Sequence, residues 1–284
     1  MTQRKAFIDL DLSNAFLFAA ALEEEETCQM VLELILGTHI GPVKVRAERS
    51  ILVSSDFRSV RLDIYANDEV DVAYNVEMQN QDKKNLAKRS RYHQAAMDVS
   101  SLKPGEEFND LRPSYIVFIC TFDPFGDALY RYTFEERCLE NDISLGDGTK
   151  KIFLSTEGKN DDDVPLELIH FLRYVDNSND TYVAQTDDVI ISRLHNKVVA
   201  LKKSRELEER YMQFEELLKD SEKAGMEKGI EQGIEKGIEQ GIELGKKNLF
   251  NLISCMTASG IADQISRLAT DEEFYKEMLK KYNI

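Results

Sequence analysis

Apolar and polar positions alternate with period two through residues 60–79, VRLDIYANDEVDVAYNVEMQ. In the first half Val60, Leu62 and Ile64 point one way, which throws Arg61, Asp63 and Tyr65 to the other side of a strand. In the second half Val72, Tyr74, Val76 and Met78 share one face, and Ala73, Asn75, Glu77 and Gln79 share the opposite one. Asn67-Asp68-Glu69 is a polar run of the kind that turns a chain, so the pattern predicts two antiparallel strands. With Asp63 opposite Glu77, the two side chains share a face with their Cβ atoms within about 5.5 Å. A slip of two residues keeps them there, whereas a slip of one buries the charges. Two carboxylates on a β ribbon, with an amide two residues after the second, form a divalent-metal site.

The rest of the pattern predicts an α/β protein. Residues 8–22 suit a helix, and a second helical run over 27–36 ends at Gly37. Residues 42–53 read as an extended lead into the strand pair. A helix follows Gln79 and ends near Pro104-Gly105. The run SYIVFICTF, residues 114–122, is almost continuously apolar, as a strand buried on both faces would be. Residues 123–126 turn, 128–134 and 151–156 read as strands, and Pro165 opens a helix to about Asp176. Another helix begins near Asp187. A central mixed sheet flanked by helices is the expected core, over residues 1–200.

From Ser192 the pattern is helical almost without a break to about residue 250, and it contains an internal repeat. Gly225, Gly229, Gly233, Gly237, Gly241 and Gly245 recur every four residues, with isoleucine after four of them. A period above 3.6 makes the glycine row drift about 40° per repeat around a straight helix. Two explanations fit: small residues that let another helix approach, favouring a homo-oligomer, or a solvated repeat expansion. Residues 201–250 are thus expected to form one long helix, and residues 251–284 a small helical hairpin whose second helix opens with a capping box at 270–273.

Composition narrows the class. No segment approaches 18 apolar residues in a row, so no membrane-spanning helix is expected, and the N-terminus has no apolar core of a signal peptide. Cys28, Cys120, Cys138 and Cys255 lack CxxC spacing, which suits reduced thiols in a cytoplasmic protein. The net charge of -16 runs against a nucleic-acid binder, yet residues 82–91 carry five cations against one anion. That run reads either as a solvated helix face or as a local phosphate-binding patch, with Lys84, Lys88 and Arg91 at i, i+4 and i+7. No P-loop, G-x-S-x-G or HExxH motif offers another chemistry.

Asp63, then Glu77-Met78-Gln79 in a second strand, then the basic helix KKNLAKRSRYHQ, resembles the PD-(D/E)XK nuclease superfamily, in its recombination-promoting nuclease / putative transposase branch. Leu62 stands where the superfamily name has Pro, and Gln79 stands where most members carry Lys. The resemblance covers residues 8–200 and implies a restriction-endonuclease-like core and a Mg²⁺- or Mn²⁺-dependent DNA endonuclease linked to recombination or mobile elements. It implies Asp63, Glu77 and Gln79 as catalytic residues, with Asp63, Glu77 and the main-chain carbonyl of Met78 as metal ligands. Lys84, Lys88 and Arg91 are the expected DNA contacts, with Tyr92 and Gln94 facing the active centre. An acidic residue from 23–26 on the first helix would also fit the metal site, although a solvated acidic surface explains that run equally. The acidic surface and the missing lysine keep a second reading open, a catalytically inactive nuclease-fold module for binding or assembly.

Overall fold

A computed structural model describes residues 5–51, 60–68 and 72–284, with the backbone alone at 47–51, 60–63 and 221–222. Two compact units divide the chain, residues 1–211 and 212–284.

The first unit is built on a six-stranded mixed sheet of order β1-β2-β3-β4-β6-β5. Its strands are β1 (Lys44–Ile51), β2 (Val60–Asn67), β3 (Ala73–Gln79), β4 (Ser114–Cys120), β5 (Arg131–Phe134) and β6 (Thr149–Ser155). β1, β2 and β3 pair antiparallel, β3, β4 and β6 run parallel, and β5 closes the far edge antiparallel. The parallel centre explains why β4 reads as a nearly continuous apolar run and why β3 is buried almost end to end although its sequence alternates: both of their faces are covered.

One face carries Ile64, Val76, Met78 and Ile119 into the larger core, under α1 (Ala15–Leu22), α2 (Glu25–Leu36), α4 (Leu166–Asp176) and α6 (Val189–Lys202). The other face carries Tyr65, Ala73, Phe118 and Cys120 and is covered by α3 (Leu86–Ser101). A short α5 (Asp180–Thr186) precedes α6.

Several element limits differ from the sequence expectation, each for a local reason. The helix expected over 8–22 begins only at Ala15, because the Asn14 side chain accepts hydrogen bonds from the N–H groups of Phe16 and Leu17 and caps it there. The helical run expected to continue from Ser192 breaks at Lys203 and Ser204, where the Ser204 hydroxyl accepts from Leu207 N–H and starts α7 (Arg205–Ala258) afresh. The first turns of α7 belong with the first unit, since Leu207 and Tyr211 lie in its core. The acidic run at 23–26 is tied into ion pairs: Glu23 with Arg210, Glu24 with Lys197, and Glu26 with Arg193 and Lys197.

In the second unit α7 continues to Ala258, and its C-terminal end packs Leu252 and Met256 against Phe274 and Met278 of α8 (Glu272–Tyr282). The cap of α8 is Asp271, which accepts from Phe274 N–H, rather than Thr270. Residues 223–247 of α7 are exposed throughout. Each of the six glycines there costs a helix about 1 kcal/mol relative to alanine.

Candidate active site

The sheet register decides what meets at the site. β2 and β3 pair as Asn67↔Ala73, Ala66↔Tyr74, Tyr65↔Asn75 and Ile64↔Val76. The described pairing stops at Ile64↔Val76, one residue short of Asp63 and Glu77. The backbone of Asp63 is in β2, and its side chain lies outside the described residues, as does Glu69 of the expected turn. On the other side of β3 the parallel ladder pairs Glu77 with Phe118 and Gln79 with Cys120. Asn75 and Glu77 therefore stand two residues apart on the face that α3 covers.

Glu77 is fully buried. A buried carboxylate needs compensating charge and hydrogen bonds, and α3 supplies the charge. Arg89 Nη2 lies 2.5 Å from Glu77 Oε2 and Arg89 Nη1 lies 2.7 Å from Gln79 Oε1. Asn75 Nδ2 donates to Glu77 Oε1 at 2.9 Å. His93 Nδ1 sits 2.5 Å from the same oxygen, but off the direction of an aligned hydrogen bond, so it is a close polar contact only. Arg89 and His93 are four residues apart, hence on one helix face, and the His93 ring and the Arg89 guanidinium lie near Phe118, at 6.1 and 5.5 Å from its centre. The site is a carboxylate on the central sheet, joined to the Gln79 amide by one guanidinium of the covering helix, with the His93 imidazole beside it.

The other expected residues are spread around this cluster. Lys84 lies ahead of α3 rather than on it, at φ 52°, with its ammonium on Asp82. The helical stripe therefore reduces to Lys88 and Arg91, both exposed on α3. Tyr92 is exposed as well. Gln94 is buried, and its amide donates to the Ser114 hydroxyl and to Asp98. The places beside the carboxylate that the motif gave to Tyr92 and Gln94 are taken by Arg89 and His93. Met78 buries its side chain in the opposite core.

A hard divalent cation is compatible with the donors in place. Glu77 and Gln79 carry oxygens of the right kind, each of which already accepts from Arg89 or Asn75, and Asn75 Oδ1 is buried without a hydrogen-bond partner two residues from Glu77. Among the described residues no three His, Cys, Asp or Glu side chains come together as a metal cage.

A mixed α/β sheet with a polar cluster between its centre and one covering helix is the class of protein the structure defines. A family model described as PD-(D/E)XK nuclease family transposase matches residues 11–228, and the chain belongs to that family. Comparison with curated proteins and with solved structures gives no match. Nucleases of this family generally use divalent metals. Among the described residues no helix is long and apolar enough to cross a membrane.

Proposed function

We propose that the protein is a metal-dependent DNA endonuclease of the cytoplasm, acting in recombination or on mobile elements. The observation that carries this reading is the buried Glu77 carboxylate on the central strand, with Gln79 beside it and a cationic helix over both. Asp63, one register step beyond Ile64↔Val76, would be the second carboxylate. Asp63, Glu77 and the main-chain carbonyl of Met78 would hold Mg²⁺ or Mn²⁺. Such an ion supplies a water of lowered pKa and positive charge for the phosphate oxygens.

The chain's own groups have separable tasks. Gln79 does not titrate, so it orients the attacking water or a phosphate oxygen, with Arg89 fixing its amide. Arg89 also brings a permanent positive charge to the place where most members of the superfamily have lysine. Lys88 and Arg91 face solvent and suit phosphate contacts that position DNA without reading sequence. Lys84 adds to that field from the preceding turn, and Tyr92 is exposed on the same helix.

The Arg89–Glu77 contact also favours a second reading, an inactive nuclease-fold binding or assembly module, if the guanidinium keeps the carboxylate as its permanent partner. Thermal unfolding with Mg²⁺ or Mn²⁺ separates the two. A resident ion at about 100 times its Kd stabilises by about 2.7 kcal/mol. A saturable rise in Tm that Glu77→Gln abolishes supports the nuclease. No rise in the unaltered protein moves the reading to the inactive module.

A further inference from the structure

Residues 223–247 of α7 are exposed without exception, and Ile230, Ile234, Ile238 and Ile242 each leave more than half of their surface in water. A row of apolar side chains so exposed marks a contact surface. Within the second unit no described residue supplies the contact. At each glycine from Gly225 to Gly245 an added Cβ would meet nothing within 4 Å. None of these glycines has positive φ, so alanine would serve the helix better. The missing side chains leave room for something outside the chain.

The repeat says what that is. A period of four divides the helix surface into four rows about a quarter-turn apart. In sequence order they are a Lys/Gln row led by Lys228, the glycine row, the isoleucine row and a glutamate row. Glu231, Glu235, Glu239 and Glu243 succeed one another at i, i+4, an arrangement that repels within a single helix. Between two parallel copies related by a two-fold axis along the pair the same rows are complementary. The isoleucine ridge of each copy enters the glycine groove of the other, and each glutamate row falls on the flank where its partner carries Lys and Gln. Ridges at i±4 interdigitate when helices cross at about −50°. The stretch holds five acids and five lysines, so it is neutral within a chain of net charge -16, and two copies meet here without the repulsion their other surfaces impose.

We infer that this face of α7 is a self-association surface whose occupant is a second copy of the chain, crossing at the isoleucine and glycine rows. Sedimentation equilibrium on the 284-residue chain tests it over a wide concentration range. Two variants accompany it: Gly233→Leu with Gly237→Leu, which fills the groove with good helix formers, and Ile234→Glu with Ile238→Glu, which removes the ridge. The unaltered protein is expected to dimerise, and each variant to associate at least about tenfold more weakly, a change of about 1.4 kcal/mol. The leucine variant should keep or gain helical signal in circular dichroism, which separates a lost contact from a lost helix. A monomer at every concentration, or a dimer that both variants leave intact, would overturn the assignment.

Discussion

Arg89 reaches from the first turn of α3 to the fully buried carboxylate of Glu77, nitrogen to oxygen 2.5 Å, across a sequence gap of twelve residues. Breaking a buried ion pair from one side leaves an uncompensated charge and can cost 3–5 kcal/mol. Arg89 is about one-third exposed, and Asn75 and His93 remain beside the carboxylate, so the expected loss for Arg89→Ala is smaller, about 2 kcal/mol. Arg89→Lys keeps the charge without the two-pronged contact and should recover only part of it. Urea unfolding measures both. An Arg89→Ala protein as stable as the parent would contradict the pairing.

Acid should unfold the helical layer through Asp188. This residue caps α6 by accepting from the N–H groups of Ile190 and Ile191, and it meets His170 Nδ1 at 2.8 Å. Burial pushes its carboxyl pKa up, but the bonds from His170, Ile191 and Ile190 outweigh burial and hold it below the ordinary value. A folded-state pKa below the unfolded one, near 3.9, gives stability that is present above the unfolded value and lost as pH falls through the folded one. Asp188→Asn keeps a capping side chain and removes the titration, so the fall of Tm below about pH 4 should flatten. An unchanged slope would contradict this role.

Three of the four thiols should divide by burial. Cys28 and Cys120 are buried, and burial pushes both thiols up to about 12, so neither supplies thiolate near neutrality. Cys138 is exposed. Mass spectrometry after brief treatment of native protein with a thiol reagent should find Cys138 modified, and Cys28 and Cys120 modified only after denaturation. Equal labelling of all three in the native state would contradict the packing.

Lys88 and Arg91 should act on DNA through charge alone. Each phosphate contact removed lowers the slope of log K against log salt by about 0.9. Lys88→Ala and Arg91→Ala should each reduce it by roughly that amount, on duplexes of any sequence. A loss confined to particular sequences would make them readers of bases.

The sheet was more legible than the site. Residues 60–79 alternate so regularly that the expected antiparallel strand pair agrees with Tyr65↔Asn75 and Ile64↔Val76. The long apolar run at 114–122 likewise announced β4. Arg89 was hidden because it sits in a run of five cations, where charge normally means solvent. Only the tertiary pairing with Glu77 makes its burial affordable. His93 could be placed on the inner side of α3 with Leu86 and Met97, but nothing local says that a carboxylate waits there. By sequence Lys84 suits the helix, whereas its left-handed backbone and the Asp82 side chain, which accepts from Lys84 N–H, place it in the preceding turn. Ser204 is a weak mid-helix residue that turns out to cap, a role its hydroxyl can play only once the chain has bent.

The most direct test of the central claim is nicking of supercoiled plasmid by purified protein at low salt, with and without Mg²⁺ or Mn²⁺, beside Asp63→Ala and Glu77→Ala. Cutting that needs the metal and disappears in both variants, while both still bind DNA, is the expected result. A fully active Asp63→Ala or Glu77→Ala protein, or cutting indifferent to metal, would contradict it.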